Sequence, residues 1–544
     1  MKTPVRGSRR GTMIDCSRNA VMKPEAVRRW IDVSASLGYN MLMLYTEETY
    51  EIPGEPYFGY GRGRYTCREL RDLDDYAAAR GVELIPCIQT LAHLRRLKRW
   101  APYADHFDID DIMMVGDEAV YELVGKMFDT LASCFRSRTI HVGMDEAHNM
   151  GRGKYYDLHG DTDHTRLLLD HVKRISEMAA QRGLTLCMWS DMFYRLASGG
   201  DYYNGDAKID ESVRALIPSN VELVYWDYYH SAQEDYAKMI RSHEKLQKGT
   251  WFAGGLWVWT GFAPHNGFSL RNTAPAMAAC RETGVRDIFM TMWGDNGGEC
   301  SRFAVLPSLF YAAENLKGNT NEEEIRHLFR EKFGVSWEDF MLLDLPGTPN
   351  GREDLLNNED WPINMDKYLL YQDPFMGLME STRQGGENRQ FADCAARLRA
   401  VKDRGGYDKL FETQAALCEV LAIKAELCEH TRKAYRAGGE ALRAVIAEYL
   451  ELETRLEVFY DAFLDQWTWE NKPFGFEVQD ARLGGLMRRV RHCRRELERY
   501  AQGKTDSIAE LEEPLLDLQG GGESFDHKPT SYNTWQDTIT VGNI

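Results

Sequence analysis

The sequence predicts a (β/α)8 barrel followed by an α-helical C-terminal domain, and three features support this fold class. Short apolar runs alternate with longer amphipathic segments, which is typical of parallel α/β folds. Eight such runs occur within about 315 residues, close to the usual barrel size of about 250 residues plus insertions. Polar residues follow the runs at their carboxyl ends, where barrel active sites lie. An open doubly wound sheet is the alternative.

Each predicted strand is a short run rich in β-formers or methionine, bounded by turn or helix signals. After the first run, Pro24 suits a first helical turn and Gly38 suits a helix end. Helical segments such as RELRDLDDYAAARG and HTRLLLDHVKRISEMAAQRG separate later runs. In chain order the runs are TMIDCS, YNMLMLYT, VELIPCIQT, TIHVGMDE, LTLCMWSD, VELVYWDYY, WFAGGLWVW and DIFMTMWGDN.

The alternation stops after about Leu316, which divides the prediction into a barrel over residues 1–316 and a mainly helical domain over 317–544. Apolar residues recur there at three- and four-residue intervals, as in ALRAVIAEYLELETRLEVFYDAFLDQW. Residues near 343–363 contain several Pro, Asn and Gly, which predicts an irregular connection.

Bulk composition excludes several functional classes. The chain has 544 residues, of which 43% are hydrophobic, so it can bury a large core. Its net charge of −18 repels phosphate backbones and anionic membranes, so we expect neither a nucleic-acid nor a membrane partner. The charged N-terminus lacks a following apolar segment, and the 11 cysteines form no CxxC pair. We therefore expect a cytoplasmic protein with reduced thiols.

Aromatic residues and carboxylates together indicate a sugar site. A pyranose offers an apolar face for stacking and a rim of hydroxyl groups for hydrogen bonds. For a single tryptophan, core packing is as good an explanation. Five tryptophans at carboxyl ends of runs favour the site instead: Trp189, Trp226, Trp257, Trp259 and Trp293.

The stretch TIHVGMDEAH contains two adjacent carboxylates, Asp145 and Glu146, directly after an apolar run. Burying such a pair is costly unless hydrogen bonds or chemistry compensate. A helix N-cap is one alternative explanation, because Asp is a favoured cap residue. A metal site that adds His141 and His148 is another, but neighbouring strand residues point in opposite directions. We therefore predict neither a metal nor a cofactor.

Three motifs in order resemble glycoside hydrolase family 20, the β-N-acetylhexosaminidases. HVGMDEAH resembles the family signature H-x-G-G-D-E, with Met144 in place of the second glycine. RRGTMIDCSRN resembles the first barrel strand, R-G-x-x-x-D-x-x-R, and MWGDN resembles the last, W-G-E or W-G-D. The methionine fits a small bacterial branch of exo-β-N-acetylglucosaminidases.

The resemblance implies a role for each carboxylate of the pair. Glu146 would be the general acid that protonates the leaving oxygen. Asp145 would orient and polarise the 2-acetamido group of the substrate, which itself attacks the anomeric carbon to give an oxazolinium intermediate.

The resemblance also implies contacts to the sugar. Arg10 would bind the 3- and 4-hydroxyls, Asp295 the 4- and 6-hydroxyls, and Trp293 would stack on the ring while other tryptophans enclose the acetamido methyl. Tyr228 would donate to the acetamido oxygen, with Tyr225 and Tyr229 as alternatives. His93 would be the third-strand histidine, partnered by Glu48 or Glu47.

The sequence therefore predicts an exo-β-N-acetylhexosaminidase that removes terminal β-linked N-acetylglucosamine, or N-acetylgalactosamine, from a small oligosaccharide or glycoconjugate. A two-carboxylate glycosidase with Asp295 or Glu299 as partner of Glu146 is one competing interpretation. A non-catalytic sugar-binding barrel is the other. A second copy of the chain, forming a homodimer, is a further candidate partner.

Overall fold

A closed barrel of eight parallel strands organises the first part of the computed structural model, which describes residues 7–349, 363–530 and 533–543. The predicted barrel is confirmed, and closure excludes the open sheet. Strand order around the barrel is β1-β10-β9-β8-β7-β6-β3-β2, and β4 and β5 form a separate antiparallel pair. The strands are β1 (Arg10–Asp15), β2 (Met41–Tyr45), β3 (Glu83–Cys87), β4 (Phe107–Ile109), β5 (Ile112–Met113), β6 (Thr139–His141), β7 (Thr185–Trp189), β8 (Val221–Trp226), β9 (Trp251–Gly255) and β10 (Ile288–Met292).

The register of the barrel strands fixes which residues share an end. Arg10, the first residue of β1, pairs with Ile288, the first residue of β10. At the other end of β1, Asp15 pairs with Tyr45, the last residue of β2. Because all eight strands are parallel, the loops that leave their carboxyl ends open onto one mouth of the barrel.

Helices connect the barrel strands, and local sequence explains where several of them begin and end. Thr66 and Glu69 form a capping box at the start of one helix, and Gly38 ends another in the left-handed conformation, with φ of 90°. The helices up to residue 317 are Pro24–Leu37, Cys67–Ala78, Arg95–Lys98, Ala101–Ala104, Glu118–Cys134, Lys154–His159, His164–Ala180, Asp191–Ala197, Glu211–Leu216, Gln233–Leu246, Asn266–Thr283 and Leu306–Lys317.

The chain forms two compact units that interleave along the sequence. The barrel unit comprises the described residues of Met1–Leu256, Ser269–Trp293 and Ala312–Gly318. The second unit comprises those of Trp257–Phe268, Gly294–Tyr311 and Asn319–Ile544. The segments that follow β9 and β10 therefore belong to the second unit. Most of the predicted irregular connection near 343–363 lies at 350–362, outside the described residues.

The second unit is helical around an apolar core. Its longest helix, Gly439–Glu470, buries one face with residues such as Phe459 and Phe463. The backbone N–H groups of Phe262 and Ala263 donate to the Asp366 carboxylate, which holds the segment after β9 in this unit. Within its described residues beyond 318, the α-helices are Glu322–Phe333, Trp337–Met341, Met365–Tyr371, Glu387–Ala400, Asp408–Lys424, Leu427–Ala437, Gly439–Glu470, Phe476–Ala501, Ala509–Glu512 and Thr534–Thr538. Among the described residues, no helix has the length and apolar character needed to cross a membrane.

Candidate active site

The segment that follows β6 makes a tight left-handed turn before it presents Asp145 and Glu146. Gly143, Met144 and Glu146 have φ of 70°, 70° and 53°. Positive φ is unusual for Met and Glu and is often found where a fold holds strained functional residues. The Gln89 side chain secures the turn, since its Oε1 accepts the Met144 N–H at 3.0 Å. A Cβ atom at Gly143 would lie 2.0 Å from that oxygen, so any larger residue would displace the Gln89 amide.

Asp145 is held as a buried anion between two side chains of the loop after β3. Gln89 Nε2 donates to Asp145 Oδ1 at 2.7 Å, and His93 Nε2 lies 3.2 Å from Asp145 Oδ2. Burial alone would raise the pKa of Asp145, but the His93 charge and these hydrogen bonds outweigh it and lower the pKa to about 2. Asp145 is therefore ionised throughout the neutral pH range, with its orientation fixed.

His93 is the cation of this arrangement. Burial opposes its charge, but Asp145 raises the pKa of His93 to about 9. On the other side of the ring, Nδ1 lies 3.8 Å from Asp111 Oδ2. The predicted partner Glu48 is instead buried in an ion pair with Arg62, at 2.9 Å. The alternative partner Glu47 is near enough for its charge to raise the pKa of His93, and Asp111, which follows the hairpin strand β4, is a further acidic neighbour that the sequence did not suggest.

Glu146 has the more open environment of the two carboxylates. Its side chain is 43% exposed, against 11% for Asp145. Two cations flank it: His93 Nε2 lies 3.7 Å from Oε2, and Arg195 NH2 lies 3.8 Å from Oε1. A carboxyl group in this position can exchange protons with a bound molecule and with water.

Asp191, directly after β7, is a site residue that sequence reasoning missed. Its Oδ2 accepts the Glu146 N–H at 3.1 Å and the Arg195 Nε–H at 3.2 Å. Burial raises the pKa of Asp191 to about 7, and the charges of Asp145 and Glu146 add to the shift. The motif WSD contained the signal, because its aspartate follows a barrel strand. Asp191 supports the backbone of Glu146.

Arg10 does not reach the site, and its assignment as a sugar ligand is corrected. It lies at the amino end of β1, where its guanidinium donates to the Leu316 carbonyl at 3.0 Å. Arg18, the last arginine of the same motif, follows the carboxyl end of β1. Strand polarity was the signal that could have selected Arg18.

Arg18 lies within a cluster of polar and aromatic side chains at the mouth. Its Nε donates to Glu47 Oε1 at 3.1 Å, and its guanidinium lies 5.7 Å and 5.4 Å from the ring centroids of Tyr45 and Trp293. Burial raises the pKa of Glu47 to about 7, against the opposing charge of Arg18. Gln89 links this cluster to Asp145, since its Nε2 also contacts the Tyr45 hydroxyl at 2.9 Å.

The predicted aromatic residues of the barrel unit separate into two groups. Trp293, Trp226 and Tyr228 keep a little exposed surface, and Trp226 stacks on Tyr228 at 5.3 Å. Burial raises the pKa of Tyr228, with smaller contributions from Asp145 and Glu146, so its hydroxyl is within electrostatic reach of the pair. Trp189 has no exposed surface and packs against His141 at 4.4 Å, so the prediction that it contacts substrate is corrected.

The alternative tyrosines differ in their surroundings. Tyr225 is fully buried, and its hydroxyl donates to Asp227 Oδ2 at 2.5 Å. The Tyr229 backbone N–H donates to the same carboxylate at 3.1 Å. Tyr225 is therefore poorly placed to donate to a ligand, and the choice between Tyr228 and Tyr229 stays a prediction.

Three predicted residues belong to the second unit. Trp257 and Trp259 stack on each other, with ring centroids 4.0 Å apart. Asp295 begins the short 3-10 helix Asp295–Gly297. Trp257 has no exposed surface, so the prediction that it contacts substrate is corrected as for Trp189, whereas the contributions of Trp259 and Asp295 to a sugar site stay predictions. Over the described residues, no group of three or more His, Cys, Asp or Glu side chains is arranged to hold a metal ion.

Two family models match the chain. Residues 8–250 match the catalytic domain of glycosyl hydrolase family 20, and residues 338–528 match the glycoside hydrolase 20C C-terminal domain. Together these matches extend over more than half of the chain. They agree with the division into a barrel and a helical unit.

Similar proteins include hexosaminidases from mammals and bacteria. Hexosaminidase D of Homo sapiens is 23% identical over 202 residues, 36% of this chain and 39% of that protein. Hexosaminidase D of Bos taurus is 24% identical over 237 residues, 42% of this chain and 64% of that protein. The chain thus spans less than two thirds of each. Among solved structures, a β-N-acetylhexosaminidase from Bacteroides fragilis has a TM-score of 0.46 at 17% identity, over 60% of this chain and 70% of that one.

Proposed function

Because the chain belongs to glycoside hydrolase family 20, we propose that it is an exo-acting β-N-acetylhexosaminidase. It removes a terminal β-linked N-acetylglucosamine, or N-acetylgalactosamine, from an oligosaccharide or glycoconjugate. The reaction retains configuration and uses the substrate's own acetamido group as nucleophile.

The observation that carries this proposal is the contrast between two adjacent carboxylates. His93 and Gln89 fix Asp145 as a buried anion, whereas Glu146 is exposed enough to exchange protons. A fixed anion suits a group that must stabilise developing positive charge, and an accessible carboxyl group suits a general acid. Two neighbouring residues can therefore perform different steps of one reaction.

In the first step, the acetamido carbonyl oxygen attacks the anomeric carbon as the bond to the leaving oxygen breaks. Glu146 gives its proton to the leaving oxygen. The Asp145 carboxylate accepts a hydrogen bond from the acetamido N–H as positive charge develops on the oxazolinium ring. Water then attacks the anomeric carbon, Glu146 takes its proton, and the acetamido group is released. The protein thus needs no second carboxylate at the anomeric carbon.

The competing two-carboxylate mechanism needs a free acidic partner for Glu146. Glu299 is poorly suited, because the residue is only 3% exposed. Its carboxylate pairs with Lys367 Nζ at 2.8 Å and with Arg482 NH1 at 3.2 Å. Asp295 remains the other candidate. An aryl β-glucoside tests this alternative, because it lacks the acetamido group that the proposed mechanism requires.

The proposal is tested by separating the roles of the two carboxylates. For Glu146→Gln, we expect a loss of about 100- to 10,000-fold in kcat/KM on β-GlcNAc with a basic leaving group, and little loss on dinitrophenyl β-GlcNAc, which departs unaided. For Asp145→Asn, we expect a loss on the order of 100- to 1,000-fold on both substrates, because the acetamido group reacts in both. The measurement is steady-state kcat/KM for each variant on each of the two substrates.

A matched control is Asp72→Asn, which alters an exposed carboxylate on the helix Cys67–Ala78. It should leave both rates within about twofold of the parent, as expected of a surface change. If Asp145→Asn recovered on the good leaving group while Glu146→Gln did not, the two roles would be reversed. If the parent protein hydrolysed no aryl β-GlcNAc, the chain would be a sugar-binding barrel.

A further inference from the structure

An exposed aromatic cluster lies on the same two loops that supply the active site. The loop after β2 carries Glu47 and continues to Tyr57 and Tyr60, whose exposed fractions are 44% and 56%. The loop after β3 carries His93, and Trp100 follows it. Tyr57 and Tyr60 pack against Trp100 with ring centroids 5.5 Å and 5.4 Å apart. Both loops leave the mouth of the barrel, so the cluster is on the side where substrate enters.

The two loops are joined at this cluster, so its rings have a fixed arrangement. Arg99 NH2 donates to the Tyr60 carbonyl at 2.9 Å, and the Arg99 guanidinium lies 4.8 Å from the Trp100 ring centroid. Exposed rings held in this way offer apolar faces at little conformational cost, which suits stacking against the face of a sugar. The cluster is defined here as the rim: Tyr57, Tyr60, Trp100, Arg95, Lys98 and Arg99.

The rim carries a local excess of positive charge on a chain whose net charge is −18. The stretch LRRLKRW contains four cations and no carboxylate. An open concavity of about 620 Å³ is lined by Arg95, Lys98 and Arg99, together with Asp110 and Asp111. Within the described part of the chain, none of those three cations has a carboxylate oxygen within 4.0 Å.

A neighbouring arginine strengthens this local field. Burial lowers the pKa of Arg96, and the charges of Arg62, Arg99 and Arg95 lower it further against the opposing charge of Glu48. Arg95, Lys98 and Arg99 line one concavity and have no carboxylate oxygen within 4.0 Å over the described residues, so an anionic ligand there would relieve their mutual repulsion.

We propose that the rim is a binding subsite for the sugar on the leaving-group side of the scissile bond, and that it favours a sugar that carries a carboxylate. The inference rests on the proposed function. The leaving sugar stacks on the exposed rings, and its carboxylate pairs with Arg95 and Lys98. Hydrolysis at the anomeric carbon is unchanged, and the subsite contributes to the choice of substrate.

The test compares three substrates that share the same terminal β-GlcNAc. One is an aryl glycoside, and the other two are disaccharides with the same linkage, to glucuronic acid or to glucose. These two leaving sugars differ only in a carboxylate in place of a hydroxymethyl group. We expect the parent protein to prefer the glucuronic acid disaccharide by about three- to fivefold in kcat/KM, the scale of an exposed ion pair. In about 1 M salt, where the screening length falls to about 3 Å, the preference should disappear.

Variants separate the two parts of the subsite. Arg95→Gln with Lys98→Gln should remove the preference and leave the aryl glycoside and the glucose disaccharide unchanged. Trp100→Ala should lower kcat/KM about two- to tenfold on both disaccharides and leave their ratio unchanged, as expected for one stacking contact. Trp100→Phe, which keeps a ring, should recover most of that loss.

Arg68→Gln is the matched control for charge, because this side chain is 92% exposed on the helix Cys67–Ala78. It should leave the preference intact. Equal rates on the two disaccharides in the parent protein, a preference that persists in Arg95→Gln with Lys98→Gln, or no loss on either disaccharide in Trp100→Ala would overturn the proposal. A parent protein inactive on the aryl glycoside would refute the proposed function itself, so the two failures are distinguishable.

Discussion

Replacement of Arg18 by alanine should cause a large loss of activity with little loss of fold. Its guanidinium is at the mouth of the barrel, with Glu47 on one side and the rings of Tyr45 and Trp293 nearby. Removing one charged hydrogen bond to a substrate hydroxyl costs about 1.5 to 3 kcal/mol, or roughly 10- to 150-fold in kcat/KM. The variant also leaves buried Glu47 without its cation, so Glu47 should take up a proton near neutral pH.

The assay is kcat/KM on aryl β-GlcNAc, with the thermal unfolding midpoint measured in parallel. Arg10→Ala is the matched control from the same strand, because Arg10 contacts the Leu316 carbonyl at the far end of the barrel. We expect Arg10→Ala to stay within about threefold of the parent rate, as for a change remote from the site. Loss of activity in Arg10→Ala but not in Arg18→Ala would refute the argument from strand polarity.

Two further predictions concern the support of Asp145. Gly143→Ala should reduce activity sharply, because its Cβ would collide with Gln89. Gly160→Ala is the control: Gly160 has a similar φ of 73° but open space around it, so this variant should lose only stability. The activities and the thermal unfolding midpoints of both variants test this. The His93 charge should also set the pH range. The pKa of His93 is raised to about 9, so its contribution to folding stability is complete below about pH 6.5 and is lost as pH rises through about 9. The pKa of Asp145 is lowered to about 2, so its contribution is complete above about pH 4 and is lost as pH falls through about 2. We therefore expect kcat/KM to fall near pH 9, and an unchanged alkaline limb in His93→Asn would contradict this.

The barrel could be predicted from sequence because its signals are local. Each buried strand is a short apolar run, and the helices between them have clear caps such as Gly38. The hairpin of β4 and β5 was missed because Phe107–Ile109 and Ile112–Met113 are too short to show a period. The interleaved units were also missed, since membership of Trp257–Phe268 in the helical unit depends on contacts such as those of Asp366, more than 100 positions away.

The placement of Asp145 and Glu146 after a barrel strand could be read from sequence, because the motif states both residue type and position; their roles stay a proposal. The first-strand motif contains two arginines, and the resemblance assigns the sugar contact to Arg10, whereas Arg18 is the arginine that follows the carboxyl end of β1. Asp111 escaped notice because nothing near residue 111 resembles a site. It reaches His93 only through the path of the hairpin, which a linear pattern does not contain.

The left-handed turn at Met144 and Glu146 explains why the two carboxylates can differ although they are adjacent. In a regular strand the two side chains would point to opposite faces of the sheet, one into the barrel interior and the other toward its outer face. Positive φ at residues 144 and 146 redirects the chain, so that His93 lies within 4.0 Å of both carboxylates while their exposures differ fourfold. Each residue in that conformation costs of order 1 to 3 kcal/mol, which the contacts of Gln89 and Asp191 with the backbone N–H groups of Met144 and Glu146 offset. The strain is therefore local to the proposed catalytic pair, and the segments that follow the neighbouring strands β3 and β7 supply the residues that hold it.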